Sequence, residues 1–319
     1  MNNKTSGNVK VAVLLATYNG EKYAEELLES LKSQTYSNFI CYIHDDGSTD
    51  STPSICRKYA EADPNRFVIL EYPSAGGPKE NFFSMFRYVN EQYIMFCDQD
   101  DIWLNDKIEK SLDKIIETEN GNQDIPAMVF TDLKIVDSEL NVEAQSYLRY
   151  MNRKTNELNL KGGLIAGYAP GCAFILNRHL IEIAGKYQND SVIFMHDWWC
   201  MLVAFACGGT VDYIDEPLIL YRQHGNNCAG ANKMTVMQHI ISYIGLLFKG
   251  SLFNSKKEHI NNLKRQAIEL SKLPEINSES RRFLNQFIEI DKSCKLKRMI
   301  FYMKHYYNNK RLIIFTVFG

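Results

Sequence analysis

The sequence predicts an α/β protein: an open, mostly parallel sheet with helices on both faces, continued by a helical C-terminal extension. Three observations point there. Over the first hundred residues, short continuous apolar runs alternate four times with segments of 3.6-residue apolar spacing, as expected of strands buried on both sides and the helices that cover them. The connections between them are short. Polar clusters stand at the ends of the apolar runs, and open parallel sheets bind ligands at the carboxyl ends of their strands.

The first strand is expected at Val9–Thr17, broken by Tyr18-Asn19-Gly20. Glu21–Gln34 follows as a helix, with Tyr23, Leu27, Leu28 and Leu31 on one face and acids in its first turns. Phe39–His44 is a second strand, closed by the turn Asp45-Asp46-Gly47-Ser48. Asp50–Asp63 is a helix, with Asp50 or Ser51 as N-cap and Pro53 in the first turn. Phe67–Tyr72 is the third strand, Lys79–Asn90 a helix with the apolar face Phe82, Phe83, Phe86 and Val89, and Tyr93–Cys97 the fourth strand. Further strands are expected at Ala127–Asp132, Gly171–Leu176 and near Thr210–Ile214, with helices at His179–Lys186 and Asp197–Cys207. From Met234 onward the pattern is helical, with breaks near Ser251–Ser255 and Pro274–Ser280.

The fourth strand ends in Asp98-Gln99-Asp100-Asp101, three carboxylates within four positions. Like charges so close repel, and a divalent cation with a preference for hard oxygen offsets them most economically. Such a cation, set against a diphosphate, neutralises charge on a departing phosphate. Capping of the next helix could account for Asp101, but not for all three. Thr17-Tyr18-Asn19 and Asp45-Asp46-Gly47-Ser48 fall at the ends of the first two strands, so three polar clusters converge on one sheet edge.

Composition sets bounds. The chain has 319 residues, 45% hydrophobic and 23% charged, as in an ordinary folded protein. Its first ten residues are polar and the run Val11–Ala16 is too short for a secretory signal. Ile240–Phe248 and Leu312–Phe318 fall below the ~20 apolar residues that span a bilayer. A cytoplasmic location is therefore expected. Eight cysteines show no C-x-x-C pair and no zinc spacing, which favours reduced thiols. The net charge of −2 hides an asymmetry: residues 233–319 hold 16 Lys+Arg against 6 Asp+Glu, about +10, and the first 232 carry about −12. After Asp291 there is no acid, and Met299, Ile300, Phe301, Tyr302, Met303, Tyr306 and Tyr307 interleave with Lys297, Arg298, Lys304, Lys310 and Arg311. That mixture suits an interfacial segment on an anionic membrane. Nothing else in the chain reads as a nucleic-acid module.

Ala-Thr-Tyr-Asn-Gly, Asp-Asp-Gly-Ser-Thr-Asp, Asp-Gln-Asp-Asp-Ile-Trp and His-Asp-Trp-Trp, in that order over residues 9–230, resemble the family 2 glycosyltransferases of the GT-A fold. Phe-Cys-Asp-Gln-Asp-Asp-Ile-Trp with Tyr-Arg-Gln-His-Gly-Asn-Asn resembles, within that family, bacterial rhamnosyltransferases of surface polysaccharide synthesis. The resemblance implies that Thr17, Tyr18 and Asn19 lie beside the nucleotide base and that Asp46 accepts a hydrogen bond from it. It implies Asp98 on ribose or metal, Asp100 on metal and diphosphate, and Asp197 as the catalytic base. The family more often has Glu-Asp where this chain has His196-Asp197. Inverting transfer needs one such base, which takes the acceptor hydroxyl's proton as its oxygen attacks C1; a retaining glycosidase would need two carboxylates straddling the bond.

Arg222 and His224 lie in a run of little apolar content, and are expected at the diphosphate or the metal. Trp198 and Trp199 read as core or pocket walls, and Asp45 as structural. Residues 1–232 are expected to form the glycosyltransferase domain, with a nucleotide-sugar half at about 9–115 and an acceptor half at about 116–232. Residues 233–319 are the basic, mainly helical extension. The expectation is an inverting enzyme using Mg²⁺ or Mn²⁺, with dTDP-rhamnose favoured over a UDP-hexose as donor. Its acceptor would be a lipid-linked saccharide, with the enzyme peripheral on the inner face of the plasma membrane. A sugar nucleotidyltransferase would want a Gly-rich phosphate loop carrying Lys or Arg after the first strand, which Thr17-Tyr18-Asn19-Gly20-Glu21 is not. A non-catalytic sugar-binding scaffold would have no use for Asp197 or a metal cluster.

Overall fold

The computed structural model describes residues 9–186, 192–225 and 251–306. Its centre is a sheet whose strand order is β3-β2-β1-β4-β8-β6-β9-β5, with β7 paired to β6. The strands are β1 Val11–Thr17, β2 Phe39–Asp45, β3 Phe67–Ile69, β4 Tyr93–Asp98, β5 Ile102–Trp103, β6 Ala127–Val136, β7 Val142–Ala144, β8 Phe174–Asn177 and β9 Thr210–Arg222. β3, β2, β1 and β4 run parallel. β8 is antiparallel to both β4 and β6, β6 and β9 are parallel, and β5 closes the edge antiparallel to β9. The mostly parallel α/β sheet is as expected.

Helices α1 Ala24–Lys32, α2 Thr52–Ala62 and α4 Lys107–Glu119 pack together with β5, β3, β6 and β9, whereas α3 Pro78–Met85, α7 Arg178–Gly185 and α8 His196–Ala206 form a second set. Two short helices, α5 Tyr147–Tyr150 and α6 Leu160–Ile165, lie between β7 and β8 in the chain. Val11–Leu15 and Tyr93–Cys97 are buried throughout, as continuous apolar strands covered on both faces must be.

Several elements differ from expectation, each for a physical reason. β6 continues through Asp132 because that buried carboxylate accepts the backbone N–H groups of Leu133 and Leu148. β9 does not stop at Ile214. It passes through Asp215-Glu216-Pro217 because its register against β6 shifts there, and a bulge tolerates a proline that a regular ladder would not. Gly171–Ala173 is a 3₁₀ turn and the strand begins at Phe174. Asp101 caps no helix: α4 starts six residues later, with Asp106 at the N-cap position.

The helical extension is described from Ser251. Helices α9 Ser251–Ser271, α10 Ser278–Glu289 and α11 Lys295–Tyr306 follow one another. Ser251–Ser255, where a break was expected, is helical, whereas the break near Pro274 is present. These helices have no separate core: Leu263, Leu270, Leu284, Phe287, Phe301 and Tyr302 join the apolar cluster of the sheet. The expected helical stretch 234–250, Asn226, Asn227, Cys228 and the cationic end 307–319 lie outside the described residues. Among the described residues, no helix is long and apolar enough to cross a membrane.

Candidate active site

Strand register assembles the site. Thr17 of β1 lies opposite Asp45 of β2, and Ala16 lies opposite Asp98 of β4, so the three polar clusters meet at one carboxyl edge. Their loops are then stitched together by side chains. The Gln99 carboxamide pairs with the Tyr18 backbone, accepting its N–H at 2.9 Å and donating to its carbonyl at 2.8 Å. Gly20 leaves room for it, because a Cβ there would displace that carboxamide. Asn19, held at φ 45°, accepts the Thr49 N–H, while its own N–H donates to Ser48 Oγ at 2.7 Å. Thr17 is buried and its hydroxyl donates to Asp45, which also accepts from Ser48 and Gly47. Asp45 is structural, as expected. Tyr18 projects from this loop 56% exposed, available to a planar ligand.

Asp46 organises the loop after β3. Its carboxylate accepts the Ser74 hydroxyl and the backbone N–H groups of Ala75, Gly76 and Gly77. Burial raises its pKa, but these donors outweigh burial and hold it below the usual carboxylate range. Asp46 therefore shapes the wall of the edge as well as standing on it.

The acidic loop divides its carboxylates. Asp101 is buried, accepts the Arg222 backbone N–H at 3.2 Å, and keeps its second oxygen without a hydrogen-bond partner. Burial, with Asp100 and Asp98 nearby, drives its pKa well up. Asp98 is pushed up to about 7 by burial, then by the charges of Asp100 and Asp197, which places the base expected from sequence beside the acidic pair. Asp100 Oδ2 stands 2.8 Å from His224 Nε2. Arg222 is turned inward, 3% exposed; its guanidinium donates to the Asp100 and Ser138 carbonyls and to Glu26. The structure thus puts Arg222 beneath the acidic loop and His224 on it. Tyr23 underlies both, its ring stacked at 4.9 Å on His224 and 4.5 Å from the Arg222 guanidinium.

The donor chemistry suits a hard divalent cation. Asp98 and Asp100 offer carboxylate oxygens, and His224, hydrogen-bonded to Asp100 at 2.8 Å, offers an imidazole nitrogen beside them. Asp98, Asp101 and Cys172 also converge, with ligand atoms within 4.8 Å of one another. Thiol sulfur is soft, however, and better matched to zinc than to Mg²⁺ or Mn²⁺.

Asp197 sits in the first turn of α8, where exposed helix N–H groups favour an anion. Its Oδ1 accepts the Trp198 N–H at 2.6 Å. Burial raises its pKa to about 6 against the backbone N–H groups of Trp198, Asp197 and Gly171. Gly171 was not foreseen: a Cβ there would stand 3.0 Å from Asp197 Cβ and 3.1 Å from both Asp197 Oδ2 and His196 Nε2. The bare Cα lets Asp197 approach the turn before β8 closely, and a Cβ would press on both side chains. His196 is buried against Phe82 and Phe96, with neither ring nitrogen hydrogen-bonded, and burial lowers its pKa to about 3. It is a neutral wall beside Asp197. Trp199 is core, and Trp198 is half-buried with its indole N–H on the Gly163 carbonyl.

A mostly parallel sheet with this acidic edge defines a glycosyltransferase of the GT-A type. The match to the model of "Glycosyl transferase family 2" covers residues 12–184, and the chain belongs to that family. It is 33% identical over 231 residues to the dTDP-rhamnosyl transferase RfbG of Shigella flexneri, covering 68% of this chain and 74% of that one. The putative teichuronic acid biosynthesis glycosyltransferase TuaG of Bacillus subtilis is 31% identical over 223 residues, covering 70% and 82%. Among solved structures, S. aureus TarS 1–349 in complex with UDP-GlcNAc superposes with a TM-score of 0.54 at 17% identity, covering 88% of this chain and 71% of that one. That likeness is one of fold.

Proposed function

We propose that this glycosyltransferase is inverting and metal-dependent, and that it moves rhamnose from dTDP-rhamnose to a hydroxyl of a lipid-linked precursor of a bacterial surface polysaccharide. The observation that carries the reading is the buried carboxylate Asp197 in the first turn of α8, raised to about 6 and near enough to Asp98 for its charge to raise that group's pKa. The similarity to the dTDP-rhamnosyl transferase RfbG supports the donor.

Asp98, Asp100 and His224 would hold a divalent cation, Mg²⁺ or Mn²⁺, which supplies charge neutralisation at the departing diphosphate. Tyr18 offers its exposed ring to the base, and Thr17, Asn19 and Asp46 fix the loops that border it. Arg222 acts through the Asp100 carbonyl, keeping the acidic loop in register with β9. Asp197 takes the proton of the acceptor hydroxyl while that oxygen bonds to C1. The C1–O bond to the diphosphate breaks on the opposite face, so configuration inverts and the nucleoside diphosphate leaves. A base with a pKa near 6 is mostly ionised at neutral pH, yet basic enough to receive a proton in the transition state.

A donor-hydrolysis screen of nucleoside diphosphate sugars, with and without Mn²⁺ and Mg²⁺, tests the reading. The expected result is metal-dependent turnover with dTDP-rhamnose ahead of UDP-hexoses. Preference for a UDP-hexose would overturn the donor, metal-independent turnover the cation, and a retained anomer in the transfer product the mechanism.

A further inference from the structure

Helix α11 carries two apolar faces. Phe301 and Tyr302 point inward, 8% and 1% exposed, with the Phe301 ring stacked 6.2 Å from that of Phe283. On the outer side Leu296, Ile300 and Met303 are 61%, 54% and 46% exposed. Their spacing of four and three places them in one stripe along the helix. Few large apolar side chains are as exposed elsewhere among the described residues, and no other helix there presents three in line. The stripe cannot be the helix's own packing face, because the opposite side already serves that purpose.

Cations border the stripe. Lys295, Lys297 and Lys304 are exposed on α11, and no acid follows Asp291 in the sequence. An apolar stripe rimmed by lysines matches a bilayer interface, with acyl chains below and anionic headgroups beside them. A second copy of the chain seated on the same face would bring like charges together. The helix also lies close to the base in the order of packing. It contacts α6, whose Gly163 carbonyl accepts the indole N–H of Trp198, the residue after Asp197.

We propose that Leu296, Ile300 and Met303 form a docking face for an anionic lipid bilayer, with α11 lying in the plane of the interface. The proposal deepens the reading of a lipid-linked acceptor by assigning the face that meets the membrane. Only the outer stripe does so: Phe301 and Tyr302, which the sequence pattern placed among the interfacial aromatics, are committed to the core.

The test is co-sedimentation of the full chain with phosphatidylglycerol/phosphatidylcholine vesicles and with pure phosphatidylcholine vesicles, using wild type, Leu296→Ser/Ile300→Ser/Met303→Ser and Lys295→Gln/Lys297→Gln/Lys304→Gln. Wild type should bind the anionic vesicles and release in high salt. Each triple variant should lose ~10-fold or more in partitioning, as removal of buried apolar area or of surface cations dictates. Donor hydrolysis, which needs no membrane, should be unchanged and so report an intact fold. Undiminished binding by the serine variant overturns the proposal, as does equal binding of wild type to both kinds of vesicle. Lipid-free self-association that the serine variant abolishes would make a second copy the occupant and overturn it too. Vesicle binding with no donor turnover would sink the enzymatic reading and leave the docking face standing.

Discussion

The proposed mechanism concentrates the chemistry in one side chain, Asp197. Its raised pKa comes from burial, opposed by backbone N–H groups, so its charge is costly enough to make it basic without neutralising it at pH 7. Asp197→Asn should lower transfer by at least ~10²-fold, the lower range for a positioned general base, while calorimetry shows donor binding intact. In the proposed role Asp197 must be ionised to act. Log kcat/KM should therefore rise with pH through about 6 and flatten above it, and the Asn variant should lose that limb. Asp100→Ala removes a carboxylate from beside His224, and should abolish metal enhancement of nucleoside diphosphate binding in the same calorimeter. These carboxylates were legible in the sequence because three acids at a strand end have few other uses. Gln99, Tyr23 and Gly171 were not, since their importance lies in what stands opposite them: a carboxamide against a backbone, a ring under an arginine and a histidine, a bare Cα against a carboxylate.

At the scale of elements, the strands and helices up to β4 could be read because each carries its own period. Helix α4 was equally readable from Ile108, Leu112 and Ile115, all buried in the structure, yet the acidic loop before it drew the reading away. β6 and β9 run past the expected Ala127–Asp132 and Thr210–Ile214, through Asp132 and Pro217. Both occupy a register shift between the two strands, and pairing between distant segments leaves no trace in local pattern. The α8–β9 junction is the least forgiving connection. A Cβ on Gly209 would overlap the Pro126 carbonyl and stand 2.9 Å from the Ala204 carbonyl, both backbone atoms that cannot rotate away. Gly209→Ala should cost about 3 kcal/mol or more, the upper end for overpacking, measured by urea denaturation.

For the whole molecule, the charge asymmetry pointed to an extension that meets an anionic surface, but not to one that shares the core. Tyr302, 1% exposed, packs within the apolar cluster that also contains the sheet. Tyr302→Ala should cost roughly 3 kcal/mol, as large-to-small core replacements do. Truncation before Lys295 should lower the melting temperature of the entire chain in a single transition, not trim an independent tail. Differential scanning calorimetry distinguishes the two outcomes: a second, unshifted transition would show that the sheet stands alone.

The reversed direction of β8 carries a consequence for biosynthesis. β4 is complete at Asp98, but its antiparallel partner does not leave the ribosome until Phe174–Asn177, and β9 follows at Thr210–Arg222. Until then the nascent chain holds β4, apolar from Tyr93 to Cys97, as an edge strand paired only with β1, a template for pairing with other chains. The acids at its tip emerge before Cys172 and His224, which stand beside them. A fragment ending near residue 120 should therefore scatter light at concentrations where the full chain stays clear, and a trigger-type chaperone should suppress that scattering. On this chain, the segment made first is the one whose edge most needs guarding while the rest is made.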